Sequence, residues 1–364
     1  MMARARKQLS PGCRIRVLVV DDSVVIRRLV THALEEDPLI EVVGAAPNGA
    51  LALERIPQLN PDAITLDVEM PVMDGLEALR RIRRLYPDLR VIMFSTLTER
   101  GAASTFEALS LGADDYVTKA ANVGSLDRSM ASLRADLIPK IKQFFRSAAE
   151  GLAPMTRPVG AQFAPAARAV RAVRPKVLVI GVSTGGPAAL GLVMPRFEAG
   201  FPLPILIVQH MPPMFTRLLA ERLQAGSRLK IEEAVQGAQV EPGKVLIAAG
   251  DYHLRVRKEV EAVKACLDQS PPENSCRPAV DVMFRSVSEV YGGAALAVVL
   301  TGMGQDGMRG VQSLKALGAY VIAQDQASSV VWGMPGAVVG AGLADCVLPL
   351  DGVVPEILRQ IGGY

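Results

Sequence analysis

Aromatic residues are scarce in this 364-residue chain, at 4% of the total, and the formal net charge is only +3. A nucleic-acid surface combines basic stripes with stacking platforms, so the two shortages together argue against such a partner. Cysteine is also thin. Cys13, Cys266, Cys276 and Cys346 lie far apart without Cys-x-x-Cys spacing, which speaks against a zinc site or a disulfide framework. No apolar run approaches the ~18 residues needed to cross a bilayer, so no direct membrane insertion is expected. The first ten residues are basic but carry no apolar segment, unlike a secretory signal. A cytoplasmic location is the expectation. The glycine-rich turns have no lysine where a P-loop needs one, and they are not read as nucleotide sites.

What is present is an alternation of short apolar runs with amphipathic stretches, the pattern of open parallel α/β sheets. In the first half the runs Ile15–Val20, Ile40–Ala45, Ala63–Leu66, Arg90–Phe94 and Asp115–Thr118 are predicted strands. Ile26, Leu29, Val30, Ala33 and Leu34 recur at helical spacing, with Ser23 placed to cap that helix. Polar residues follow the strands: Asp21 and Asp22, then Asp67, Ser95 and Lys119. In a doubly wound sheet these carboxyl ends share one edge, where ligands bind. Three carboxylates gathered there repel one another and suit a hard cation such as Mg²⁺. With Lys119, that cation could neutralise charge while a phosphoryl group moves to Asp67, and the Ser95 hydroxyl could bond the new group.

The second half is built around Gly181-Val-Ser-Thr-Gly185, which follows the apolar run Val177–Ile180 and precedes a proline-started helix. A serine on a tight strand-to-helix turn presents its hydroxyl, while helix N–H groups face an oxyanion. Further strands are predicted at Ile205–Gln209, Val245–Ala249, Leu296–Leu300, Tyr320–Ala323 and Val347–Leu348, with a hairpin over His253–Lys258 and residues 261–268. His210 follows one of these strands and Asp306 lies in the loop after another. Serine, imidazole and carboxylate can therefore converge: the imidazole takes the hydroxyl proton, and the carboxylate fixes its tautomer. Asp306 could instead cap the helix beginning near Gly307. Gly302 and Gly304 permit close backbone approach around Met303, making its N–H a candidate oxyanion donor beside that of Thr184. The order Ser183, His210, Asp306 differs from that of α/β-hydrolases, where the acid precedes the histidine.

Between the halves, Leu126, Met130, Leu133, Leu137, Ile141 and Phe144 keep a helical spacing towards Phe145, across Pro139. The second part of this stripe is expected to meet the following domain. Residues 147–175, rich in Ala, Pro, Gly and Arg, read as a flexible linker.

Val19-Val-Asp-Asp-Ser23, Leu66-Asp-Val-Glu-Met-Pro-Val-Met-Asp-Gly75 and Asp115-Tyr-Val-Thr-Lys119 resemble the receiver domain of two-component response regulators. Ile180-Gly-Val-Ser-Thr-Gly-Gly186, Gln209-His-Met-Pro212, Arg277-Pro-Ala-Val-Asp281, Leu300-Thr-Gly-Met-Gly-Gln-Asp-Gly307 and Trp332-Gly-Met-Pro335 are similar to motifs of the chemotaxis response-regulator methylesterases. The resemblance implies a flavodoxin-like receiver over residues 14–133, a helical extension and linker over 134–175, and a doubly wound, mainly parallel methylesterase domain over 176–364. It implies Asp67 as acceptor of phosphate from a histidine kinase, with Asp21 and Asp22 helping to hold Mg²⁺. Ser183, His210 and Asp306 would form a triad that needs no cofactor and acts on glutamyl methyl esters and certain glutamines of methyl-accepting chemoreceptors. In that family the unphosphorylated receiver covers the catalytic face. Two positions depart from the pattern: Ala120 replaces a proline, and Cys276 stands where histidine is frequent, a change expected to touch substrate contacts. A signalling adaptor that binds without turnover is the competing reading.

Overall fold

The computed structural model describes residues 7–8, 10, 13–96, 98–119, 126–146, 174–260 and 262–362. They divide into two compact units, one ending within residues 147–173 and the other running from there to the C-terminal end. Among the described residues no helix is long and apolar enough to cross a membrane.

In the first unit, β2 (Ile15–Val20), β3 (Ile40–Ala46), β4 (Ala63–Asp67), β5 (Arg90–Ser95) and β6 (Asp115–Thr118) form a parallel sheet in the order β3-β2-β4-β5-β6. The predicted strands are all present, several longer by one residue. β-branched runs such as Val17–Val20 are buried on both faces because helices cover both sides of a parallel sheet. Chain order reverses between β2 and β4, so Asp21 and Asp67 leave neighbouring strands at the switch point. Ser23 caps α1 (Val24–Glu35) as expected, accepting from the Ile26 N–H.

Helix α5 (Leu126–Lys142) contains Pro139 and stops short of Phe145, which with Arg146 forms a short strand, β7, parallel to β1 (Lys7–Gln8). Its second part makes contacts within its own unit. Lys142 pairs with Asp37 at 2.8 Å, Gln143 donates to Asp115, and Phe144 lies 5.0 Å beneath the Arg90 guanidinium. Burying a phenylalanine is worth about 1.5–3 kcal/mol, so Phe144 alone is a substantial anchor. The apolar stripe was legible; its partner, chiefly α1 of the same unit, was not, because spacing along one helix does not name the neighbour that packs on it. Ala120 and the linker residues 147–173 lie outside the described residues.

The second unit holds a seven-stranded sheet whose pairings are all parallel: β8 (Val177–Val182), β9 (Ile205–Gln209), β10 (Lys230–Glu233), β11 (Lys244–Ile247), β14 (Ala295–Val299), β15 (Tyr320–Gln324) and β16 (Cys346–Leu348), ordered β10-β11-β9-β8-β14-β15-β16. Antiparallel β12 (His253–Lys258) and β13 (Val263–Asp268) form the expected hairpin. Strand β10 was not predicted: it is a polar edge strand in which only Ile231 is buried. Helix α8 (Val280–Tyr291) buries Val280, Met283, Phe284 and Val287 in the main core. The chain runs outward from β8 through β9, then returns to the other side of β8 with β14, so this sheet also reverses next to the strand that carries the serine.

Candidate functional site

In the second unit three loops leave adjacent strands. Val182 is paired with Gln209 in the β8–β9 register, so Ser183 and His210 are the next residues along strands that run ~4.8 Å apart. On the other side the Ser183 N–H donates to the Thr301 carbonyl at 3.0 Å. Gly302 is needed for that approach, because a Cβ there would sit 2.9 Å from the Ser183 Cβ and 2.4 Å from the Met334 sulfur. The Gly302 carbonyl accepts from Gly333 and Met334, which braces the loop that carries Met303. Met303 is exposed, and Thr184 is buried with its carbonyl accepting from the Thr301 hydroxyl.

His210 and Asp306 meet directly, Nε2 to Oδ2 at 2.7 Å. Asp306 is 2% exposed and accepts four further hydrogen bonds: from the main-chain N–H of Val280, Asp281 and Gly307 and from the Asn274 amide. Two of these donors are the first residues of α8, so the carboxylate sits at the positive end of a helix. Burial raises its pKa, but His210 and the N–H donors outweigh burial and hold it below the ordinary 3.8. Asp306 does bond Gly307, at the start of α9 (Met308–Ala316), yet its other partners show that capping is not its sole contact. Burial pulls the His210 pKa down; the Cys276 sulfur and the Asp306 carboxylate reverse this and raise it above 6.5. The departure at Cys276 therefore bears on the histidine ring itself as well as on its surroundings. Among the described residues no hydrogen bond joins the Ser183 hydroxyl to His210.

Asn274 was not singled out from the sequence. Its Nδ2 bonds both Asp306, at 2.8 Å, and Asp281, at 3.0 Å, holding two carboxylates apart. No spacing rule announces a contact across 32 residues between two loops. The run Gly302 to Gly307 does satisfy G-x-G-x-x-G, between β14 and α9. Here, though, the α9 N-terminus already faces a carboxylate from within the run, Asp306, rather than an open cradle for a phosphate. His253 is fully buried, accepting at Nδ1 from the Ala279 N–H, and His32 pairs with Glu36 on the surface.

In the first unit, carboxylate oxygens of Asp21, Asp22 and Asp67 lie within 4.8 Å of one another. Lys119 reaches both Asp21 Oδ2 and Asp67 Oδ2 at 2.8 Å. Burial raises the Asp67 pKa from 3.8 to about 6, with Asp21 adding to the rise and Lys119 opposing it. The buried Asp21 Oδ2 has no aligned hydrogen-bond donor, only the ammonium beside it. Crowded carboxylates with an under-satisfied oxygen fit a hard, oxygen-seeking divalent cation. An open cavity of about 540 Å³ adjoins this cluster, lined by Asp22, Glu69, Asp74 and Arg100 among others. Ser95 is fully buried, and its hydroxyl donates to the Gly101 carbonyl at 2.9 Å rather than facing the carboxylates.

Comparison with known proteins follows the same division. The family described as CheB methylesterase matches residues 178–357, and the response regulator receiver domain matches residues 17–131. A protein-glutamate methylesterase/protein-glutamine glutaminase of Trichodesmium erythraeum is 50% identical over 350 residues, covering 96% of this chain and 99% of its own. One from Nocardioides is 52% identical over 358 residues, covering 96% of each chain. The crystal structure of the Thermotoga maritima CheB methylesterase catalytic domain is 44% identical, with a TM-score of 0.50, and covers 51% of this chain and 99% of that one.

Proposed function

The chain belongs to the protein-glutamate methylesterase/protein-glutamine glutaminase family, and on that premise we propose that it is a phosphorylation-gated serine hydrolase acting on chemoreceptor helices. The observation that carries the reading is the 2.7 Å bond between His210 and Asp306, one register step from Ser183. That bond engages Nε2, and Nδ1 is assigned to the serine proton. As Ser183 Oγ attacks the glutamyl ester carbonyl, His210 takes the hydroxyl proton; Asp306, ionised and held by helix N–H groups, stabilises the imidazolium. The N–H groups of Thr184 and Met303 are assigned to the developing oxyanion. His210 then gives that proton to the departing methoxide, which leaves as methanol, and a water that in turn loses a proton to His210 cleaves the glutamyl–Ser183 ester, releasing glutamate and restoring the hydroxyl. With a glutamine substrate the leaving group is ammonia. Serine, imidazole, carboxylate and water supply every proton and electron pair, so the hydrolytic steps call on no cofactor.

In the receiver unit, Asp21, Asp22 and Asp67 would hold Mg²⁺, which supplies charge neutralisation for phosphoryl transfer. Asp67 is the proposed acceptor of phosphate from a histidine kinase. Lys119 is placed to offset charge on its oxygens, and Ser95 would turn from Gly101 towards the phosphoryl group. The test is methanol release from methylated receptor membranes, with and without a phosphodonor. Release is expected to rise on phosphorylation and to fall by about 10⁴–10⁶ in Ser183→Ala. Release indifferent to the serine substitution would leave the non-enzymatic adaptor as the better reading, and equal rates in both phosphorylation states would remove the gating.

A further inference from the structure

The last residue of β9 is a glutamine at a position where the rest of the strand is apolar. Gln209 is 2% exposed, and its two amide hydrogens are used on two residues of the proposed triad. Nε2 donates to the Ser183 carbonyl at 3.0 Å and to the His210 carbonyl at 3.3 Å. The opposite orientation of the amide is excluded on physical grounds, since it would press Oε1 against two carbonyl oxygens. Oε1 itself is buried with no hydrogen-bond partner. It lies against Gly186, where a Cβ would fall 1.9 Å from it. A buried amide left half-satisfied is costly compared with a leucine or methionine of similar size. The glycine therefore makes room for a side chain whose value lies in its donor arm.

We infer that Gln209 is a positioning residue that fixes Ser183 relative to His210 through their main chains; the inference rests on the triad reading above. The Ser183 carbonyl is clamped twice, by Gln209 and by the Gly186 N–H at 2.8 Å, while the Ser183 N–H is held by Thr301. The His210 N–H donates to Val182 at 3.3 Å, and the His210 carbonyl shares the Gln209 amide. With both main chains held, only side-chain rotation remains to bring the hydroxyl to the imidazole. Spacing is set without the hydroxyl–imidazole bond having to form at rest.

Gln209→Met keeps the volume and removes both donors. In the full-length protein it is expected to lower kcat by about 10- to 100-fold, since small misplacements of reacting groups carry losses of that size. KM should stay within about twofold, because uniform substrate binding does not depend on the amide. The acid limb of the pH profile should stay in place, because Cys276 and Asp306, which set the imidazole pKa, are untouched. Labelling of Ser183 by a fluorophosphonate should slow in parallel, without any receptor present. Should Gln209→Met lose its fold by circular dichroism, Gln209→Asn, an amide too short to span both carbonyls, gives the same readout. A kcat and labelling rate within about twofold of the parent in the folded variant would overturn the inference, as would a loss confined to KM. Ser183→Ala run alongside separates the two levels: if it still labels and releases methanol, the triad reading fails, and if it does neither, only the role of Gln209 is at stake.

Discussion

Two aspartates, one ending β4 and one in the loop after β14, belong to two parallel sheets and are equally hidden from solvent, and they are driven in opposite directions. Asp67 is 3% exposed and Asp306 is 2% exposed, yet the first has its pKa raised to about 6 and the second is held below 3.8. Depth does not decide the matter; company does. Asp67 faces Asp21 and Asp22, and Lys119 must serve two carboxylates at once. Asp306 also has a carboxylate neighbour, Asp281, but the Asn274 amide bridges the two and three main-chain N–H groups, two of them the leading amides of α8, donate to Asp306. On the proposed roles, a carboxylate that accepts a phosphoryl group gains from being poorly satisfied at rest and compatible with a cation. One that must steady an imidazolium gains from being charged at all times.

The largest effect that could break this contrast is at Asp306. Asp306→Asn retains size but removes the charge, and kcat is expected to fall by about 10⁴. A rate within tenfold of the parent would show that the well-held carboxylate is only a structural cap. Next is Asp67→Asn. An acid whose pKa is raised by folding binds more protons in the native state, so its contribution to stability falls as pH rises from 3.8 through about 6 and stays lost above that. Removing the charge should therefore raise the unfolding free energy at pH 7 in metal-free buffer, by at most about 3 kcal/mol. The gain should vanish below pH ~3.8, where the parent side chain is protonated in both states. Denaturant melts at pH 7 and pH 3.5 check this, and equal stability at pH 7 would refute the crowding argument. The smallest expected change is at Cys276. A base must be neutral to take a proton, and the Cys276 sulfur beside the ring pushes the His210 pKa up. Cys276→Ala should move the acid limb of the pH–rate profile to lower pH, with about a tenfold gain in rate on the limb for each pH unit of displacement. An unmoved limb would assign the raised imidazole pKa to Asp306 alone.

Much of this arrangement can be read from the residues in order. Apolar runs end where the sheet ends, so Asp21, Asp67, Lys119, Ser183 and His210 fall at strand termini almost by counting. Asp306 was reachable for the same reason, one loop further on. The contacts that tune these groups were not, because they join residues with no shared periodicity. Asn274 meets Asp306 across two loops, and the Cys276 sulfur meets His210 through folding alone. Strand β10 was missed since an edge strand with one buried residue has no apolar pattern to find. The tail of α5 shows the converse: a clear stripe names a buried face but does not name the surface that buries it.

The Gly101 carbonyl accepts from two hydroxyls, Ser95 at 2.9 Å and Thr105 at 2.8 Å. If Ser95 swings away, the acceptor still has Thr105, so the departure leaves no orphaned oxygen in the dry interior. A rearrangement that strands nothing behind it has a low threshold, and that spare donor makes α4 (Glu99–Leu111) a natural place for a small chemical event at Asp67 to become a movement of backbone.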